Sequence, residues 1–203
     1  MSEFSEDGRW WWNGATWIPT THVVLPELPP TEFELSGKLK VARDRRQEGV
    51  RQFWKWTLLL APFGLSTSID LGVRDYRSWT LEQLALATAY LLGPNEPMLA
   101  GEVSIYDLFD SWTRGPAVAV TAKHVVVFRL DHTDGQPRSI ALAALLTDVK
   151  MEARSRVFQY LWPALMVWGW NRPFAINGYR GAFEPEPVLD VWRRAANRPV
   201  STK

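Results

Sequence analysis

Cysteine is absent from the 203 residues, and that one gap removes disulfide bonds, thiolate zinc sites and a cysteine nucleophile together. Histidine is scarce. His22, His124 and His132 are the whole supply, and no two stand a helical turn apart with a glutamate between them, the spacing of a zinc-activated hydrolase. An excess of one charge is lacking too: 23 Lys and Arg against 22 Asp and Glu leave +1, so no whole-protein field draws the chain to nucleic acid. Long apolar runs are missing. Leu58 to Leu65 is broken by Pro62 and Leu161 to Trp170 by Pro163, and both fall far short of the ~20 residues that cross a bilayer. Met1 to Gly8 is acidic and has no apolar run, which reads against a secretion signal and for a cytoplasmic protein.

No glycine-rich phosphate loop and no Gly-x-Ser-x-Gly elbow is present. Asp131-His132-Thr133-Asp134-Gly135 brings carboxylates beside an imidazole, but these are also the residues of a hairpin loop. His124, in Thr121-Ala122-Lys123-His124, falls at the bend leading into a valine-rich strand. The sequence therefore points to no catalytic residue, no metal, no cofactor and no small-molecule substrate, and a non-enzymatic protein is expected.

What the chain has in excess is tryptophan, 12 residues in all. An indole combines large apolar area with one N–H that needs a partner, so it serves both cores and recognition surfaces. Four of the twelve crowd into Arg9-Trp10-Trp11-Trp12-Asn13-Gly14-Ala15-Thr16-Trp17-Ile18. Asn-Gly is the favoured pair for a two-residue turn with positive φ at both positions, so this segment predicts a β-hairpin. Alternation puts aromatic side chains on both faces, and an isolated ribbon is only marginally stable, so it must pack on the rest of the chain or on a partner. Pro19 ends the second strand, and Leu25-Pro26-Glu27-Leu28-Pro29-Pro30 reads as a stiff, extended linker.

From Ser36 to Trp56 the apolar spacing changes to helical steps. Between Lys38 and Lys55 seven basic residues face two acidic ones, whereas residues 1–34 hold six acids against Arg9 alone. The basic stretch runs into Phe53-Trp54-Lys55-Trp56-Thr57-Leu58-Leu59-Leu60, the composition of an interfacial anchor for an anionic membrane surface. A second helix is expected over Thr80–Leu92, with Thr80 near its N-cap, Leu81, Leu84, Ala85 and Leu91 on its apolar face, and Gly93-Pro94 as its stop.

After Pro97 the texture is β: Met98–Leu108, an alternating valine-rich run over Ala117–Leu130, Ser139–Met151, Phe158–Trp170 and Phe174–Ile176, separated by Gly, Pro, Asn and Asp turns. Short strands without intervening helices favour an antiparallel barrel or sandwich. A final amphipathic helix at about Val188–Ala196 has Val188, Val191, Trp192 and Ala195 along one face.

Two resemblances follow from these residues. Asp7-Gly8-Arg9-Trp10-Trp11-Trp12-Asn13-Gly14 with Trp17 and Pro19 resembles the short tryptophan-rich modules at the N-termini of many actinobacterial proteins, membrane-associated or uncharacterised, and, distantly, a WW domain. Residues 98–196 resemble the bacterial pleckstrin-homology-like domains, on Val118-Ala119-Val120-Thr121 leading into Val125-Val126-Val127-Phe128, Arg138-Ser139-Ile140-Ala141-Leu142 followed by Leu145 to Val149, and the terminal helix with Trp192. The second resemblance implies an α+β chain: an antiparallel PH-like β-barrel or sandwich with a C-terminal capping helix, here preceded by two helices and an N-terminal hairpin. It also implies a binding platform, with Trp192 as the plug over one open end of the curved sheet. A phosphoinositide site would need clustered bases between the first two strands, and Asp107 to Arg114 offers two acids and one base.

The expected division is a tryptophan hairpin over 1–19, a proline-rich linker over 20–35, a helical segment over 36–93 and the PH-like domain over 94–197. The expected partner is a protein, docked through Trp10, Trp11, Trp12 and Trp17. The alternatives are peripheral attachment at the inner face of the membrane, through Arg43, Arg46, Arg51, Trp54 and Trp56, and a structural place in a larger assembly such as a phage particle.

Overall fold

The computed structural model describes residues 3–31, 66–104, 115–131, 136–154, 164–169, 173–177 and 183–196, with residues 66–76 through their backbone only. The helix expected over Ser36–Trp56 lies outside the described residues, as do the His132 loop and the Asp107 to Arg114 segment.

Three antiparallel sheets account for all the named strands. The first is N-terminal, with β1 (Glu3–Phe4), β2 (Trp10–Trp12) and β3 (Trp17–Pro19) in that order. After the long helix α1 (Ser66–Leu92) come β4 (Ala100–Val103), β5 (Pro116–Val120), β6 (His124–Leu130) and β7 (Pro137–Leu145), which form a four-stranded meander. Strands β8 (Lys150–Arg154), β9 (Ala164–Trp168) and β10 (Pro173–Asn177) make a second meander, and α2 (Pro185–Ala196) closes the series. Four strands, three strands and a C-terminal helix, with every strand pair antiparallel, is consistent with the PH-like sandwich expected from the sequence.

The four-stranded sheet is buried on both faces, and this explains its sequence. Val118, Val120, Val125, Val127, Leu142 and Ala144 point to one side, against Met151, Leu165, Val167 and Ile176 of the second meander and Val188 and Leu189 of α2. Ala117, Ala119, Val126, Phe128, Ile140 and Ala143 point to the other, against Leu84, Ala87 and Leu91 of α1 and against Trp11, Val23, Leu25 and Leu28. A strand covered on both sides has no reason to alternate. The expected alternation over Ala117–Leu130 is therefore corrected: Val125 to Phe128 are all fully buried. One register shift lies between Val127, paired with Leu142, and Phe128, paired with Ile140. It leaves Ala141 as an extra residue, so that Ala141 and Leu142 both face the sandwich.

Two further expectations change, both in the helix. Helix α1 begins at Ser66, so Thr80 is no N-cap; it lies mid-helix and fully buried. No proline falls between Ser66 and Leu92 to stop the helix earlier. Its buried face holds Trp79, Thr80, Gln83, Leu84, Ala87, Thr88 and Leu91, mixing polar with apolar, and Ala85 is only half-buried. The Thr88 hydroxyl donates back to the Leu84 carbonyl at 2.7 Å, which makes its burial tolerable. The proline-rich segment lies along the sheet: Val23, Leu25 and Leu28 are buried, Val24 bridges Ser139, and Leu25 N–H donates to the Arg138 carbonyl at 2.9 Å. It straps the β7 edge, satisfying backbone groups that an open edge would expose.

Candidate functional site

The tryptophan segment is a three-stranded sheet, with Glu3 and Phe4 added beside β2. Its turn also differs from the two-residue expectation. Trp12 pairs with Trp17, so four residues, Asn13 to Thr16, make the connection. The Asn13 carboxamide decides this: its Oδ1 accepts from both Ala15 N and Thr16 N at 2.8 Å, while Gly14 supplies the positive φ of 97°.

Pleating sorts the side chains. Directly opposed residues of an antiparallel pair point the same way. Trp11 shares the inner face with its neighbours Phe4 and Ile18, and all three pack into the core beneath. The Trp11 indole N–H donates to the Leu91 carbonyl at 3.2 Å. That carbonyl belongs to the last turn of α1, where no intrahelical N–H remains to bond it. Gly8, with φ of 66°, lets the β1–β2 turn settle on β7, where a Cβ would stand 2.0 Å from the Ala143 carbonyl oxygen.

The outer face is the reverse of the same alternation. Trp10 pairs with Pro19, Trp12 with Trp17, and Glu3 with Trp12. Trp10 is 45% exposed and Trp17 46%. The Trp12 and Trp17 rings lie 5.5 Å apart, tilted by 51°, within the separation at which aromatic pairs attract. Of the four tryptophans singled out for binding, Trp11 is thus buried and Trp10, Trp12 and Trp17 form a platform. Arg43, Arg46, Arg51, Trp54 and Trp56 lie outside the described residues.

Two polar clusters escaped sequence reasoning. Glu102 on β4 is fully buried and takes four hydrogen bonds: Arg77 Nε and Nη2 at 2.9 and 3.0 Å, and the backbone N–H groups of Val103 and Glu184, each at 3.0 Å. Burial pulls the Arg77 guanidinium down, but the bond and the charge of Glu102 outweigh it and hold Arg77 above its usual value. A lone glutamate in the small apolar strand Ala100-Gly101-Glu102-Val103 was the available signal. The pair ties α1, β4 and the approach to α2 together.

In the second cluster Glu96 Oε1 accepts from the Thr121 hydroxyl and from His124 Nδ1, the latter at 2.7 Å. Burial pushes the Glu96 carboxyl up, and the His124 and Thr121 bonds overcome that and leave it below the usual carboxylate range. The carboxylate is the hub here, with hydroxyl and imidazole both bonded to it, so the imidazole does not stand between acid and hydroxyl as a nucleophilic relay requires. The cluster fastens the β5–β6 turn to the segment after α1, and His124 meets the Phe4 ring at 5.9 Å. Among the described residues no group of three or more His, Cys, Asp or Glu could hold a metal ion, and no helix is long and apolar enough to cross a membrane.

No family model and no curated protein matches the chain. Among solved structures, it is similar to a pleckstrin homology domain from Shewanella amazonensis SB2B at 16% identity and a TM-score of 0.37, covering 57% of this chain and 97% of that one. It is also similar to a DUF1696-family protein with a pleckstrin-homology domain from Shewanella loihica PV-4, at 12% identity and a TM-score of 0.35, covering 57% of this chain and 92% of that one. The sandwich is defined by its own strand order and by the helix that closes it.

Proposed function

We propose that this protein is a non-enzymatic docking module, in which a PH-like sandwich is the rigid platform and the N-terminal sheet holds the docking surface for a protein partner. One observation carries this reading: Trp10 and Trp17 stand about half exposed on a sheet whose opposite face is anchored in the core. Exposed indoles on a fixed backbone lose little conformational entropy on contact, which is why tryptophan dominates binding hot spots. In this reading residues 1–19 form the recognising module, residues 20–35 the linker, residues 36–93 the helical segment and residues 94–197 the platform, in a protein of the cytoplasm.

Cross-linking in native lysate followed by capture tests it. Wild-type protein should retain a discrete partner that Trp10→Ala/Trp17→Ala loses, while Trp11 stays buried and the melting temperature unchanged. Equal capture by the two proteins would refute the reading. The basic stretch Lys38 to Leu65 supports the alternative of attachment to an anionic bilayer, and vesicle co-sedimentation that depends on Arg43, Arg46 and Arg51 would favour it. Co-purification with a large particle would favour the assembly reading.

A further inference from the structure

Taking the docking reading as given, we infer that the outer face of the N-terminal sheet accepts an extended, arginine-bearing segment of a partner protein. The platform has two rows across the strands: Glu3, Trp12 and Trp17 in one, Trp10 and Pro19 in the other. Trp10 and Trp12 are two residues apart on one strand, so the rows are separated by about 7 Å. Alternate side chains of an extended peptide have the same spacing, which lets successive cations of a ligand meet successive rows.

The charge around the indoles selects the sign of the ligand. Residues 3–9 hold the carboxylates of Glu3, Glu6 and Asp7 against the single guanidinium of Arg9, and Glu3 and Asp7 are both exposed. The Ser5 hydroxyl and the Arg9 N–H hold the Asp7 carboxyl below the usual range, and the Arg9 guanidinium lies 3.8 Å from its other oxygen, which leaves Glu3 and Glu6 as the acids without that cation beside them. An indole face attracts a cation through its quadrupole, and guanidinium, planar and weakly hydrated, both stacks on indole and forks to a carboxylate. Glu3, opposite Trp12, is placed to receive the fork of a guanidinium lying on the Trp12 and Trp17 pair. A carboxylate-bearing segment would be repelled, and an uncharged proline-rich one would leave the acids unused.

Fluorescence anisotropy with the full chain and a labelled peptide of alternating arginine and serine tests this, beside alternating glutamate–serine and oligoproline peptides of equal length. The arginine peptide should bind, weaken about tenfold or more between low and physiological salt as exposed charges are screened, and lose about tenfold or more in affinity with Trp10→Ala/Trp17→Ala. Glu3→Lys, on an exposed position that leaves every core contact in place, should weaken binding several-fold and serves where the tryptophan variant is suspect. Preference for oligoproline, binding to anionic vesicles in place of the peptide, or arginine-peptide affinity indifferent to these substitutions would each overturn the inference. Absence of arginine-peptide binding alongside Trp10- and Trp17-dependent capture from lysate would overturn the ligand chemistry and leave the docking reading standing.

Discussion

Gly8 and Gly14 both have positive φ, at 66° and 97°, yet their surroundings differ. A methyl group on Gly8 would press on the Ala143 backbone, which cannot move aside, whereas around Gly14 nothing lies within 4 Å. Gly14→Ala should therefore cost only the conformational term, about 1 kcal/mol, and Gly8→Ala should cost at least about 2 kcal/mol more through lost docking. Urea unfolding of the two variants checks the ordering. Arg77→Met would leave Glu102 charged and buried without its partner, for which a loss of about 3 kcal/mol is expected. Arg77→Met/Glu102→Leu should recover only part of that loss, because no uncompensated charge remains but the Val103 and Glu184 N–H groups lose their acceptor.

Glu96 gives a pH dependence whose sign is fixed by its lowered carboxyl. A group that is more acidic folded than unfolded stabilises the fold above its unfolded value and stops doing so as pH falls through its folded one. Wild type should thus exceed Glu96→Gln in stability at neutral pH, and the difference should shrink below the ordinary glutamate range. Thermal melts of both proteins across the acid range read this directly, and a difference that does not change with pH would contradict it. None of these polar partners was legible beforehand, since Glu96 and His124 are 28 residues apart and Arg77 and Glu102 25 apart. Only the fold brings them together.

At the scale of elements, legibility followed burial. Helix α2 was readable because one face is wet: Val188 and Leu189 are fully buried, and Trp192 sits at the margin, donating its indole N–H to the Leu146 and Val149 carbonyls, each at 3.1 Å. Trp192→Phe should remove those bonds while keeping most of the packing, at a cost of about 1–2 kcal/mol in denaturant unfolding. Strands β5 and β6 were readable as strands from their valines, but not as a sheet covered twice, because a run such as Val125 to Phe128 shows that both faces are dry without showing what dries them. The start of α1 was misplaced for another reason: Thr80, a residue type favoured at N-caps, stands mid-helix and fully buried, so a capping signal was read where no cap exists. In the hairpin, Asn-Gly signalled a turn correctly, but the local bonds of the Asn13 side chain lengthened it to four residues.

For the whole molecule, the sandwich and the N-terminal layer share one sheet. The face opposite the sandwich is closed by the tryptophan sheet, the strap and α1 together, and three strands of two or three residues could not hold a fold without that support. The proposed docking surface is in this sense a product of the core: inward Trp11 fixes the strand that turns Trp10 and Trp12 outward. Hydroxyl-radical footprinting read residue by residue by mass spectrometry tests that arrangement most directly. Trp10 and Trp17 should be oxidised rapidly, with Trp11 protected to the same degree as the fully buried Trp79. Oxidation of Trp11 at the rate of Trp10 would show that the sheet does not sit on the core, and the account would be contradicted.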